Sequence, residues 1–512
     1  MILKFGFVIF LTLAGKILAF VRDMAIAIAF GVNGDTDAYF IAVNVPGIFW
    51  VAIFTTISSV FLPKYVAERR RAPDAAALYA SEATWIYVVL AIIISIATTI
   101  FAKPLVFLSA PNALPETIST AVEYTRIIAL GFVLTAYVGV QNALQQAHGR
   151  FVGPMAVPVV NHTITIVFIF FGMMLGDLRL AVIGGVLGWL IQVPIQRWQT
   201  RRFHQGVKIK RVRRQTIVTT ASLSIPIVFS VLLDQLNIFV GTVFASGFGS
   251  GAISHLNYAS RLTMFAAGLF SWMIAYFVFP KLADNAAKND MIANRTLISA
   301  SSQLVMVLTA PMLVIMLVCS REAIQLVYGH GAFLDADVIE TARLFAIYSL
   351  AIIFISLREI FNRVFFSFTE TKMVLAISAV ATMSNLLASW LLSKQLGVVG
   401  IAIAAVVAAL IFLILQIALI RKIHTRLFDW SIITSFVQIV IASAVAAAAT
   451  AYVRGELLDQ NLVTILMASS VTGLVAFASS LIAIFKLTGT DLLGIVKTVI
   501  QASRPSNVRA DS

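Results

Sequence analysis

The stretch GKILAFVRDMAIAIAFG, residues 15–31, sets Lys16, Arg22 and Asp23 inside a segment that is otherwise as apolar as a membrane helix. The rest of the chain gives those charges their setting. Of 512 residues 60% are hydrophobic and 12% charged, and the mean hydropathy is +0.96. Soluble domains carry roughly 25% charged residues, so a chain this apolar has too little polar surface to face water. Repeated apolar runs of about 20 residues match the hydrocarbon thickness of a bilayer. The single Cys319 excludes a disulfide framework or a thiolate metal cluster, and the six histidines show no ligand spacing.

The apolar runs predict about fourteen spans, near 5–30, 38–62, 83–101, 125–146, 155–175, 180–197, 218–245, 255–280, 303–320, 342–366, 373–392, 397–420, 431–453 and 462–485. The first is too long for a signal peptide and lacks a small-x-small cleavage site before its charges, so it counts as a span. Lys and Arg in short loops stay cytoplasmic. The even-numbered connections hold KYVAERRR (64–71), RRFHQGVKIKRVRR (201–214) and RKIHTR (421–426), whereas GVNGDTD (31–37) and ASGFGSG (245–251) carry no Lys or Arg. Both termini are thus expected in the cytoplasm, and the net charge of +14 is largely topology. No aromatic stacking platform accompanies the basic loop 201–214, which argues against a nucleic-acid partner.

The halves repeat. VFLPK (60–64) ends span 2 as VFPKL (278–282) ends span 8, and Asn142 and Gln196 recur in the same order as Asn362 and Gln416. Spans 1–6 and 7–12 therefore read as parallel copies, an arrangement that favours a central cavity opening alternately to either side. The expected fold is an all-α polytopic membrane protein of about 14 transmembrane helices. Two pseudo-symmetric six-helix lobes surround a central cavity, with two further helices at the C-terminus. The boundaries are an N-lobe at 1–200, a basic cytoplasmic linker at 201–216, a C-lobe at 217–424, spans 13 and 14 at 425–490 and a cytoplasmic tail at 491–512.

An ionisable group at membrane depth is costly unless it faces a cavity or a partner, which makes each one a functional candidate. Lys16 and Asp23 share a helix face but stand about 10 Å apart along the axis, too far to pair. Arg22 and Asp23 could also pair with neighbouring helices as structural glue. Arg261 begins span 8; Arg358, Glu359 and Arg363 lie in span 10, where Glu359 and Arg363 have the i, i+4 spacing of an internal ion pair. The cationic excess of Lys16, Arg22 and Arg261 suits an anionic substrate, since arginine offers phosphate oxygens a planar fork.

At these residues the sequence resembles the MviN/MurJ lipid II flippases. GKILAFVRDMAIAIAFGVNGDTDAYFIAVNVPGIF (15–49) is similar to that family's first signature; LNYASRLTMFAAGLFSWMIAYFVFPKLAD (256–284), VYGHGAFLDADV (327–338) and FSFTETKMVLAISAV (366–380) resemble later ones, in the same order. The resemblance implies a fourteen-helix transporter of the MOP exporter superfamily in the bacterial inner membrane. Its cationic cavity would receive the pyrophosphate and sugar of an undecaprenyl-linked precursor, lipid II first, and helices 13 and 14 would carry a groove for the lipid tail. It also implies that Arg22, Asp37 and Arg261 are substrate-site residues, with Lys16 where relatives place another arginine. Cell-wall or polysaccharide synthesis proteins are the partners it suggests besides the lipid-linked saccharide and the bilayer. One departure stands out: PGIFWVAIFTTISS (46–59) places Trp50 and Val51 where relatives carry a pair of arginines. Trp50 could stack on a sugar ring, and the substrate could instead be an exopolysaccharide or O-antigen repeat on the same carrier.

No cofactor is implied. LTLAGKI (11–17) lacks the first glycine of a P-loop, so driven transport would draw on membrane potential or an ion gradient. Asp234 in span 7, with Ser378, Thr382 and Asn385 from span 11, offers hard oxygen donors for a small cation such as Na⁺, and some relatives bind sodium between helices 7, 11 and 12. Asp234 could equally pair with an arginine. Three other classes compete. An enzyme acting on polyprenyl phosphates would have to rely on His330, Asp335, Asp337 and Glu340 in the loop 321–341; a cation-coupled drug exporter would want an acidic, aromatic cavity; a scaffold would have lost transport.

Overall fold

The first apolar run folds as one helix, α1 (Ile2–Phe30), carrying its three charges in mid-length. The computed structural model describes residues 2–201 and 212–503; inside the helices, the side chains of residues 2–5, 9, 73, 226, 229, 230, 233, 234 and 503 are not described. Most of the basic linker, 202–211, and the end of the tail, 504–512, therefore lie outside the described residues. Every regular element among the described residues is helical. Gly31 (φ +66°) stops α1, and Asn33 starts α2 (Gly34–Thr56) through a capping box: its side chain accepts from the Asp35 and Thr36 amides while Thr36 takes its N–H. A π-helical turn at Ile57–Phe61 precedes α3 (Leu62–Arg71). It falls where Pro63 has no N–H to donate and crowds the preceding turn, so the wider turn lets the rod Gly34–Arg71 continue past it.

The helices then follow as α4 (Pro73–Ile100), α5 (Ala102–Ser109), α6 (Pro115–Ala147), α7 (Val152–Leu175), α8 (Arg179–Thr200), α9 (Arg214–Ala245) and α10 (Ala252–Ala287). After these come α11 (Met291–Val318), α12 (Ser320–Val327), α13 (Asp335–Ser349), α14 (Ile352–Ser367), α15 (Thr371–Leu396), α16 (Val398–Ile423), α17 (Ser431–Glu456), α18 (Leu462–Thr488) and α19 (Leu492–Ser503). Among the described residues eleven helical rods, one of them Gly34–Arg71, are long and apolar enough to cross a membrane, and α13 with α14, bent by 44°, makes twelve. The long helices α1 and α9 occupy the places of expected spans 1 and 7, so the count of fourteen is approximate. Expected span 10 is the bent pair.

The chain divides into two compact units. The first comprises residues up to His255 together with His330–Asp337. In it α1 packs on α7, α7 on α8, and α2 on α6 and α9. Its centre is Phe61, Tyr65, Tyr79, Tyr87, Phe132 and Leu144 with Ile53 and Ile57. Close approach relies on small residues, as where Gly15 of α1 would set a Cβ 3.2 Å from Pro158 of α7. Arg213, just before α9, donates through Nε (2.9 Å), Nη2 (2.9 Å) and its amide (3.1 Å) to the buried Glu82 of α4, which also accepts from Thr216 (2.7 Å). That carboxylate caps α9 from another helix.

The second unit comprises Leu256–Gly329 and the chain from Val338 onward. Here α15 packs on α16, α17 on α18, and α11 on α14, α17 and α19. Arg454 at the end of α17 donates to the buried Glu322 of α12 at 2.7 Å. The repeat shows in buried polar pairs: Gln145 of α6 donates to Gln196 of α8, and Gln416 of α16 donates to Asn362 of α14 at 2.8 Å. The same pair of helices in each copy thus carries an amide bridge, one turn displaced between copies.

Candidate substrate site

Arg22 and Asp23 pair with each other, Nη2 to Oδ1 at 2.6 Å and Nε to the same oxygen at 3.0 Å. Neighbours on a helix diverge by about 100°, so the guanidinium has to fold back along α1 to make this contact. Arg22 keeps 20% of its side chain accessible and Asp23 10%. Only two of the five guanidinium N–H groups are used in it, which leaves a donor edge for anionic oxygens. Tyr39 of α2 lies within electrostatic reach of Arg22, and His162 of α7 within reach of both Arg22 and Asp23. The Nδ1 of His162 is buried without a hydrogen-bond partner. Three helices of the first unit therefore bring Arg22, Asp23, Tyr39 and His162 together. Sequence reasoning passed over Tyr39 and His162; the one available signal was a lone histidine in the apolar run NHTITIVFIFF (161–171). Lys16 stands about two turns before Arg22 on α1, on an exposed position.

Asp37 is engaged with protein. It is 2% exposed, and its carboxylate accepts from the Gly251 amide (2.6 Å), the Ser254 amide (2.7 Å) and the Ser254 hydroxyl (2.6 Å). Charge-assisted bonds from the first turn of α10 satisfy it at a helix N-terminus, where a carboxylate is most favourable. The expected substrate contact is thus a cap. A small open cleft lined by Asp37, Thr117, Ser246 and Ser250 lies beside it. Nearby, the Ala332 amide donates to the Ile28 carbonyl at 2.8 Å, so the GHGAF loop seats on the last turn of α1.

Trp50 is half-buried in an aromatic cluster, 6.3 Å from the Phe132 ring and 6.1 Å from Trp189, against Gly131. This packing accounts for the residue without a ligand, although its Nε1 lacks a partner.

In the second unit Arg261 is half-buried on α10. Glu359 pairs with its neighbour Arg358 at 3.6 Å, and the i, i+4 pair with Arg363 does not form. Arg363 instead lies over the Phe279 ring at 5.6 Å, as Arg358 lies over Phe412 at 5.2 Å. Aromatic faces attract guanidinium groups at such distances and compete with the carboxylate. Ser378, Thr382 and Asn385 share one face of α15, Ser378 and Asn385 being buried; the Asp234 side chain lies outside the described residues. No cluster of three or more His, Cys, Asp or Glu suited to a metal occurs among the described residues.

Solved structures share this architecture. A multidrug resistance MATE family transporter of the MOP superfamily, in an inward-facing conformation, superposes with a TM-score of 0.68 at 15% identity, over 80% of this chain and 95% of its own. A lipid II flippase MurJ in an inward closed conformation superposes with a TM-score of 0.81 at 19% identity, over 95% of this chain and all of its own. The fold is the one these two structures share. The family model described as lipid II flippase MurJ matches residues 26–472, and the chain belongs to that family. Among its relatives, a probable lipid II flippase MurJ of Rhizobium tropici is 24% identical over 522 residues, 97% of this chain and 96% of the relative. The lipid II flippase MurJ of Burkholderia cenocepacia is 25% identical over 454 residues, 85% and 87% of the two chains.

Proposed function

We infer that the protein carries lipid II, an undecaprenyl-diphosphate-linked saccharide, from the cytoplasmic to the periplasmic leaflet of the bacterial inner membrane by alternating access, with both termini in the cytoplasm. Family membership supports the substrate. The observation that carries the site is Arg22, a guanidinium within the long apolar helix α1 whose partner Asp23 uses only part of its donor edge. Its remaining N–H groups bind diphosphate oxygens, and Asp23 holds the guanidinium in place between turnovers. Arg261 of the second unit is the other cation that the family resemblance assigns to the substrate.

Proteoliposomes holding the purified protein and labelled lipid II test this. Arg22→Ala and Arg261→Ala are each expected to reduce translocation to the level of empty vesicles while inserting and folding as the wild type does. Normal translocation by Arg22→Ala removes the central claim. Transport in this reading draws on the membrane potential or on a Na⁺ gradient, with Asp234 the residue tested for sodium dependence. With the Na⁺ gradient varied in the same vesicles, Asp234→Asn is expected to lose the sodium dependence, and an unchanged dependence makes that residue structural.

A further inference from the structure

His162 has no part in the reading above, yet it stands beside the pair on which that reading depends. It lies on α7, which packs against α1 along the contact of Gly15 with Pro158, one turn before the histidine. Its Nδ1 is buried without a partner. Among the described residues the charged groups acting on it are Arg22 and Asp23, both from α1, and none acts on it from α6 or α8, the other helices packed on α7. Buried polar atoms are nearly always satisfied, and one without a protein partner is a place that a water, an ion or a ligand can complete.

We propose that His162 is a proton-binding residue of the substrate site, so that binding of a diphosphate at Arg22 takes up a proton on the imidazole. The inference rests on the assignment of Arg22 to the diphosphate. Its logic is electrostatic. Before the substrate arrives, Arg22 and Asp23 nearly cancel, and a charge on His162 has no counterion to offset its desolvation. A diphosphate diester brings two negative charges to the same place. The imidazolium is then favoured, and with both nitrogens protonated it donates from Nδ1, the atom now without a partner, to a phosphate oxygen. Binding and protonation stabilise each other by the same factor, so affinity is greatest where the histidine is charged and falls as pH rises through the histidine range.

The test uses the full-length protein in lipid nanodiscs and a geranyl-diphospho-N-acetylglucosamine, both phosphates of which stay singly ionised across the range examined. Affinity is expected to weaken about tenfold between about pH 6 and pH 8. His162→Gln, which cannot take the proton, is expected to bind at the wild type's high-pH affinity with no slope; His162→Asn serves if the glutamine variant fails to fold. A second measurement needs no variant. Titration calorimetry in two buffers of different ionisation enthalpy counts the protons taken up on binding, and uptake of a fraction of one proton near neutrality is expected. Absence of uptake by the wild type, or the same pH slope in the histidine variants, overturns the proposal while leaving Arg22 as the anion site. Wild-type affinity in Arg22→Ala, or no binding by the wild type at any pH, overturns the underlying site and the proposal with it.

Discussion

Gly31 and Gly331 meet backbone where any other residue would collide. Both have left-handed backbone, φ +66° and +63°; a Cβ on Gly31 would lie 2.2 Å from the Ala332 carbonyl oxygen, and one on Gly331 2.3 Å from that of Ile28. Neither oxygen belongs to a flexible side chain, so the clash is relieved only by parting the GHGAF loop from the end of α1. Gly31→Ala and Gly331→Ala are each expected to destabilise the protein by about 1 to 3 kcal/mol, the usual scale of such backbone strain. Gly185→Ala, inside α8 with nothing within 4 Å of the new carbon, is expected to be neutral or to stabilise by up to about 1 kcal/mol. Thermal unfolding in detergent compares the three, and Gly31→Ala melting with the wild type would show that this seat contributes nothing. The same scale separates Arg22 from Asp37. Both are charges near one end of the family signature, but Asp37 has its oxygens taken by α10, while Arg22 keeps N–H groups beyond its carboxylate partner.

At the level of elements the long apolar runs were legible because each is a bilayer-length stretch bounded by polar turns, and the observed helices begin and end within a few residues of most expected spans. The short helices α5, α12 and α19 were not, since eight to twelve residues at a membrane edge leave no long apolar run. Nor was the bend between α13 and α14, where Leu350 and Ala351 carry no proline or glycine to announce it. The cap on α10 was illegible for a different reason: Asp37 and Gly251 are 214 residues apart, and sequence cannot tell a carboxylate that caps a distant helix from one that meets a ligand. A similar distant contact yields a pH prediction. Asp429, in the turn before α17, accepts from the Ser431 amide at 2.9 Å and from Nε of Arg295 on α11 at 3.1 Å. Burial pushes its carboxyl up, but the bonds from Ser431 and Arg295 outweigh that and hold it below its ordinary value. A group lowered by folding stabilises above its unfolded value of about 3.9, and that contribution is lost as pH falls through the lower folded value. The wild type is therefore expected to lose its margin in melting temperature over Asp429→Asn between about pH 5 and pH 3. Parallel pH profiles for the two proteins would mean that the contact has no net effect.

For the whole molecule the choice of cargo turns on a short departure from the family signature, within a chain whose residues 26–472 match the family model. Where the family signature named above would have two arginines, PGIFWVAIF has Trp50 and Val51, and Trp50 packs among Phe132 and Trp189. Each charge-assisted hydrogen bond missing from a bound diphosphate is worth roughly 1.5 to 3 kcal/mol, so two of them could shift preference between glycans on one carrier. Arg22 is present, and in the proposed reading it binds the diphosphate that lipid II shares with every such glycan. The family match over residues 26–472 then makes lipid II the expected cargo of the proposed reading. Depleting a host of its essential lipid II flippase while expressing this chain decides the matter. Growth is expected to be restored by the wild type and not by Arg22→Ala at equal abundance in the membrane. Failure of the wild type to rescue, together with loss of a capsule or exopolysaccharide when the native gene is deleted, would assign the protein to another undecaprenyl-linked saccharide.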